Sequence, residues 1–365
     1  MTVLVKPASG HCQLRCKYCF YCDETALRAE GNRKSMSDET ADCLIGRLLE
    51  SDGRALHIAF QGGEPTLAGL DFFRRFTSAL EARCARSKTV FYSIQTNGVL
   101  ERPDEWAQFF AEKDFLVGLS FDGTRELHDL NRPDASGNPT AARVLRTAQS
   151  LERAGVRFNI LTVLTDAAAR HIEKIYRFCR RQGWNYMQFI PCLAPLEGES
   201  PAALSGERRL AADKRLFDLW YADNIASLKK SGELCVSVRH LDDYLRLAAG
   251  LPPTSCSAAG QCQIENVVES DGRVYPCDFY ALDKYELGSI CSDSFAALAA
   301  TERAQEFVKN TLPPECAQCR WYPLCRGGCR RLKKNGRYLY CAQTAAFLEY
   351  AAQRLAELAG YVLHP

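Results

Sequence analysis

The chain has 365 residues, enough for one large domain with an appendage or for two domains. Its formal net charge of +2, from 46 basic and 44 acidic residues, supplies neither a basic field for nucleic acid nor an acidic solvating tail. No apolar run reaches the length of a membrane span, and the N-terminus lacks the regions of a secretory signal, so the reading is a cytoplasmic protein that neither crosses nor binds a membrane. Against that background 18 cysteines stand out. A disulfide framework belongs to small secreted domains, whereas clustered cysteines in a reducing compartment point to metal or iron–sulfur ligation.

Strand-like and helix-like stretches alternate up to about residue 192. The strands are expected at 3–6, 56–60, 90–95, 115–121, 158–163 and 187–190. Helical patterns lie between them, at 38–50, 70–83, 104–111, 141–154 and 169–182. Six strands with intervening helices predict a parallel sheet in an open or partial barrel. Function in such a barrel gathers on the loops after the strands. A long amphipathic helix is expected from about 205 to 230, with Leu210, Leu216, Phe217, Trp220 and Tyr221 on its apolar side. A shorter helix follows at 238–247, and Pro252-Pro253 marks a boundary. The run 266–275 reads as a hairpin turning at Asp271-Gly272.

Chemistry is concentrated at both ends of the chain. Cys12, Cys16 and Cys19 share one loop after the first strand. Three thiolates on a four-iron cluster leave one iron open, whereas closed structural sites use four protein ligands. The alternative is a zinc site completed by another residue, with His11 as a candidate. Eight further cysteines, Cys256, Cys262, Cys277, Cys316, Cys319, Cys325, Cys329 and Cys341, fill two four-ligand sites. Spacing admits zinc there too; iron–sulfur is favoured because the N-terminal motif already implies electron transfer. The remaining seven, Cys22, Cys43, Cys84, Cys179, Cys192, Cys235 and Cys291, read mostly as small buried hydrophobes. Cys22 and Cys192 lie near proposed site loops.

The strand ends carry polar residues on one predicted rim. After the second strand, Gly62 and Gly63 let backbone approach a ligand, and Glu64 can accept from an ammonium group. Gln95 and Asn97 follow the third strand; Ser120 and Asp122 close the fourth. Arg132 suits bidentate pairing with a carboxylate.

The loop Cys12–Cys19, with Tyr18 before the third cysteine, and the run Gly62-Gly63-Glu64-Pro65 resemble the radical S-adenosylmethionine (SAM) superfamily. Longer stretches resemble its anaerobic sulfatase-maturating enzymes: Phe60 to Gly69, Val117 to Gly123, Gln188 to Leu193, Tyr275 to Tyr280 and Cys325 to Arg331. The resemblance implies a radical SAM partial (β/α)6 TIM-like barrel over residues 1–235. A SPASM domain with a C-terminal helix would occupy 236–365. It also implies three [4Fe–4S] clusters: one SAM-binding, on Cys12, Cys16 and Cys19, and two auxiliary. Cys256, Cys262, Cys277 and Cys329 would hold one auxiliary cluster; Cys316, Cys319, Cys325 and Cys341 would hold the other. SAM contacts are implied at Tyr18, Gly63, Ser120, Arg132 and Leu193, and a general base at Asp278. A negatively charged cluster beside Cys277 is expected to make Asp278 resist ionisation.

The implied activity is radical oxidation of a peptidyl cysteine or serine to formylglycine in an unfolded sulfatase. An external flavodoxin- or ferredoxin-type donor would supply electrons to a monomeric enzyme. The alternatives are a maturase that crosslinks or epimerises a ribosomally made peptide, and a zinc-bearing scaffold.

Overall fold

The computed structural model describes residues 1–28, 35–84, 88–196, 198, 200, 202–309 and 311–363. The strands in chain order are β1 (Thr2–Val5), β2 (Ala55–Phe60), β3 (Thr89–Thr96), β4 (Leu116–Ser120), β5 (Phe158–Leu164) and β6 (Tyr186–Pro191). They continue as β7 (Ser237–Val238), β8 (Val267–Val268), β9 (Arg273–Tyr275), β10 (Gly288–Ser289), β11 (Lys333–Lys334) and β12 (Arg337–Tyr338). All six strands expected from the sequence are present, with ends shifted by at most one residue.

The chain forms two compact units, and a single cut at residue 235 does not describe them. The first unit comprises Met1–Ser120, Asp129–Phe158 and Gln263–Val308, so the chain leaves it and returns. Its strand order is β10-β9-β8-β1-β2-β3-β4. The pairs from β8 through β4 are parallel, and the hairpin β8–β9 adds antiparallel strands at one edge. The core is aromatic. Phe60 of β2 meets Phe73 of the helix Leu70–Cys84 at 4.9 Å, and Tyr92 of β3 stacks on Phe115 at 5.0 Å. Such tilted and stacked pairs add to the burial of large apolar rings. Packing helices on the sheet leaves the loops after the strands free to hold the site.

The second unit comprises Phe121–His128, Asn159–Cys262 and Lys309 to the C-terminus. It holds the parallel strands β5-β6-β7. The long helix is Gly206–Ser231, opened by Ser205, whose hydroxyl accepts from the Arg208 amide. Leu216, Phe217 and Trp220 on it are buried. Phe217 packs edge-on against Phe347 of the C-terminal helix Cys341–Leu363, and Arg354 of that helix pairs with Asp218 at 2.8 Å.

The helix expected at 169–182 is two helices, Asp166–Arg170 and Ile172–Arg181. Thr165 caps the first from its side chain, a start signal earlier than the apolar pattern suggested, and His171 leaves helical geometry between them. Of the seven scattered cysteines, Cys84, Cys179 and Cys192 are buried as expected. Cys43 and Cys235 are half-buried, and Cys22 and Cys291 are exposed, so these four are not core residues.

Candidate active site

The loop after β1 carries Cys12, Cys16 and Cys19, all half-buried. It is pinned from one side by the segment around Pro133. Arg15 N donates to Pro133 O, Lys17 N to Asn131 O, and Ala135 N to Gln13 O. From the other side the loop after β2 presses on it: Gly63 N donates to Ser9 O and Glu64 N to His11 O, each at 2.7 Å. A Cβ on Gly63 would lie 2.2 Å from His11 O, and one on Gly62, whose φ is +118°, 2.7 Å from Ser9 O. Only glycine permits that approach.

Cys12 Sγ accepts weak hydrogen bonds from Leu14 N at 3.4 Å and Asn97 Nδ2 at 3.5 Å. Burial, with the Glu64 charge second, pushes the Cys12 thiol up to about 12. A bound cluster, rather than solvent pH, is therefore what would draw out the thiolate. Three neighbouring thiols on a pinned loop with N–H groups aimed at sulfur suit a cluster. Among the described residues no three His, Cys, Asp or Glu side chains converge as a single metal ion requires. His11 is exposed.

The rim residues divide. Arg132 is buried rather than on the surface, its guanidinium 5.4 Å over the Tyr18 ring. Gln95 Nε2 donates to Ser120 Oγ at 3.0 Å, joining the ends of β3 and β4. Glu64 corrects an expectation. It is fully buried and its oxygens are taken: Oε1 accepts from Thr66 N, Thr66 Oγ1 and Thr96 Oγ1, and Oε2 from Asn97 N. A carboxylate so satisfied braces two loops and has no face left for an ammonium. Asp122 is likewise closed off, fully buried, with Oδ1 accepting from Val163 N. Leu193 is half-buried in the second unit, next to buried Cys192.

Asp278 follows the β9 strand and is 5% exposed. Tyr21 Oη donates to its Oδ2 at 2.6 Å, and Gln61 Nε2 donates to the same oxygen at 2.7 Å. Lys6 Nζ stands 3.0 Å from Oδ1. The sequence reading weighed only a negative cluster beside this carboxylate; the structure puts a buried ammonium against it. Burial disfavours the charge on Lys6, but Asp278, Glu24 and Glu269 together hold its pKa above the ordinary lysine range. Glu269 in turn takes Arg28 at 2.7 Å and the Ser9 hydroxyl at 2.6 Å. Burial lifts Glu24 to about 8, against the pull of Lys6. Neither of its oxygens has a hydrogen-bond partner among the described residues. Lys6, Tyr21, Glu24 and Gln61 were not identified as site residues from the sequence. Tyr21 and Gln61 stand directly beside the cysteine and Gly-Gly motifs, which is the signal that points to them; Glu24 carries none.

In the second unit, burial and then the neighbouring Cys341 and Cys319 raise the thiol pKa of Cys316 and Cys325, so these four cysteines lie near one another. The resemblance assigns these four to one of the two auxiliary sets. Gly260, between Cys256 and Cys262, comes so near Arg326 that a Cβ would sit 2.0 Å from its carbonyl oxygen. This brings the Cys256–Cys262 segment alongside the loop leading to Cys329. Cys277, the fourth member of that set, belongs to the first unit.

A parallel α/β sheet with three cysteines on its first loop, braced by a Gly-Gly turn, defines a radical SAM enzyme, and the comparisons agree. The Radical SAM superfamily model matches residues 7–179, and that of an iron–sulfur cluster-binding domain, SPASM, matches 256–320. A cysteine-type anaerobic sulfatase-maturating enzyme of Clostridium novyi is 40% identical over 98% of this chain and 97% of its own. A serine-type enzyme of Bacteroides thetaiotaomicron is 28% identical over 97% of this chain and 91% of its own. The structure of native anSMEcpe with bound AdoMet and Cp18Cys peptide superposes with a TM-score of 0.90 at 38% identity, covering 98% of both chains. The chain belongs to the anaerobic sulfatase-maturating enzymes.

Proposed function

We propose that this enzyme is an oxidoreductase that converts a cysteine of a sulfatase-type peptide to formylglycine. The observation that carries the reading is the buried carboxylate of Asp278, fed by two neutral donors and balanced by Lys6. The cysteine-type relative at 40% identity, against 28% and 32% for serine-type ones, favours cysteine as substrate. Cys12, Cys16 and Cys19 would hold the SAM-binding cluster, and the eight C-terminal cysteines two auxiliary ones. Tyr18, Gly62, Gly63, Gln95, Asn97, Ser120 and Arg132 would surround SAM, Asn97 through its bond to Cys12. When bound, the cluster and SAM supply a 5′-deoxyadenosyl radical that takes a hydrogen atom from the substrate β-carbon.

The protein's part is to place the peptide and handle its proton. Asp278 accepts the thiol proton, and one of the two donors on Oδ2 must turn away to admit it. Lys6 stands 3.0 Å from the other oxygen and balances the carboxylate charge. The substrate loses that proton and one electron as the carbon–sulfur double bond forms, and water then replaces sulfur to leave the aldehyde and hydrogen sulfide. We read the enzyme as a cytoplasmic monomer served by an external one-electron carrier. No helix among the described residues is long and apolar enough to cross a membrane. A peptide deuterated at the cysteine β-carbon tests the assignment: deuterium must appear in 5′-deoxyadenosine. Unlabelled deoxyadenosine from a turned-over peptide would refute it.

A further inference from the structure

Two of the cysteines outside the cluster sets meet across a packed contact in the first unit. The helix Asp38–Leu49 places Thr40, Cys43 and Arg47 on one stripe of its surface, three and then four residues apart. Both ends of that stripe touch the chain around β10. Arg47 Nε donates to Ile290 O at 2.9 Å. At the other end, a Cβ on Gly272 would meet the Thr40 methyl at 3.4 Å and Cys291 Sγ at 3.5 Å, so methyl and sulfur crowd one point. Cys43, between the two on the same stripe, therefore lies against Cys291. The electrostatics agree: burial first, and then the Cys43 thiol, push the Cys291 thiol up to about 11. Neither is a core residue, since Cys43 is half-buried and Cys291 is exposed. Packed thiols can be mere neighbours, but this pair sits at a seam. Cys43 belongs to the N-terminal part of the unit, and Cys291 to the segment Gln263–Val308 that returns after the long excursion. Strand β9 of that segment runs directly into Cys277 and Asp278.

We propose that Cys43 and Cys291 form an oxidation site that closes to a disulfide and staples the returning segment Gln263–Val308 to the helix Asp38–Leu49. The oxidant is a low-molecular-weight disulfide. The Cys291 thiolate attacks it, forming a mixed disulfide and releasing one small thiol. Cys43 then displaces the second small thiol. The two protein thiols give up two protons and two electrons, and the small disulfide becomes two thiols. Exposed Cys291 suits the first step, and the more sheltered Cys43 suits the second. Arg47, the cation on the same stripe, favours the Cys291 thiolate against the effect of burial. In the reducing compartment proposed for this enzyme the pair stays as two thiols. It closes under oxidising conditions, the same conditions that threaten iron–sulfur clusters. The bridge would span most of the chain, and a cross-link over a long loop restricts the unfolded state most. The segment carrying Asp278 then stays seated while clusters are lost or rebuilt, and no proposed cluster cysteine takes part.

The test is anaerobic treatment of the reconstituted holoenzyme with oxidised glutathione, alkylation of the remaining thiols, and peptide mapping by mass spectrometry without reduction. It needs neither SAM nor peptide substrate, so its outcome is independent of the formylglycine reading. A peptide pair joined through Cys43 and Cys291 is expected as the main new linkage, reversed by dithiothreitol, with iron content unchanged. In Cys43→Ser the glutathione adduct should stay on Cys291, at least about fivefold above its wild-type level. The urea midpoint of the wild type should rise on oxidation, and those of Cys43→Ser and Cys291→Ser should not. Recovery of the two cysteines unlinked, alkylated or each carrying glutathione, overturns the proposal. A bridge from Cys291 to another cysteine, formed equally well in Cys43→Ser, overturns it too. So does an oxidised wild type no more resistant to urea than the reduced one. Should a variant fail to fold, the wild-type peptide map and urea midpoint decide by themselves.

Discussion

Asp278 and Lys6 are far apart in sequence and 3.0 Å apart in the structure. That juxtaposition decides how single substitutions should behave. Asp278→Asn keeps the shape but loses the charge that Lys6 balances and the capacity to take a proton. It should retain iron and still cleave SAM, while formylglycine formation falls about 10²–10⁴-fold, the usual effect of losing a general base. Near-normal aldehyde yield with intact iron would make Asp278 a structural residue. Glu24 supports a second prediction. Its pKa rises from an ordinary 4.5 to about 8 on folding, mainly through burial. Between those pH values the folded protein holds a proton that the unfolded chain has released. The Glu24 contribution is therefore fully present below pH 4.5 and is lost as pH rises through about 8. Glu24→Gln, neutral throughout, should flatten this fall. Anaerobic urea unfolding of the holoprotein at pH 5.5 and 8 checks it, and an unchanged pH slope would contradict it. The resemblance had already pointed to Asp278 as the base, but its pairing with Lys6 was not legible beforehand, because the partners of a buried lysine come from distant segments.

The elements were more open to reading. Periodicity and turn residues placed all six strands of the expected barrel and the 26-residue helix Gly206–Ser231. They erred where a cap, Thr165, overrides apolar spacing. The Gly62-Gly63-Glu64 loop was found, but one role was misread: Glu64 looked like a ligand group and is a brace. Sequence shows that a carboxylate is present, not that four donors have already claimed it. Glu64→Ala would leave those buried donors without an acceptor, and a loss of roughly 3–5 kcal/mol in unfolding free energy is expected. Gly63→Ala tests the loop differently. Its Cβ would meet His11 O at 2.2 Å, so the loop must part from the Cys12–Cys19 segment. Iron content and SAM affinity should both fall, and retention of both would show that the close approach is dispensable.

At the scale of the whole molecule, the cysteines were the readable part, because ligands clustered in sequence announce themselves by spacing. Their partition into two C-terminal sets was not readable from spacing; it came from resemblance. Cys319 and Cys341 do act electrostatically on Cys316 and Cys325, which is what the structure adds to that assignment. The two compact units were not legible, since the chain returns to the first unit at Gln263 after a long excursion. The proposed set of three four-iron clusters predicts about twelve irons per chain after anaerobic reconstitution, without stoichiometric zinc. About four irons would restrict the metal to one site. The central claim, formylglycine formation at a peptide cysteine, is tested most directly by mass spectrometry. Reduced holoenzyme, SAM and a Cys-x-Pro-x-Arg peptide are incubated without oxygen. The expected product is a peptide whose CH₂–SH has become an aldehyde that a hydrazide reagent captures, in step with 5′-deoxyadenosine. Deoxyadenosine released from an unchanged peptide, or a crosslinked peptide with no aldehyde, would contradict it.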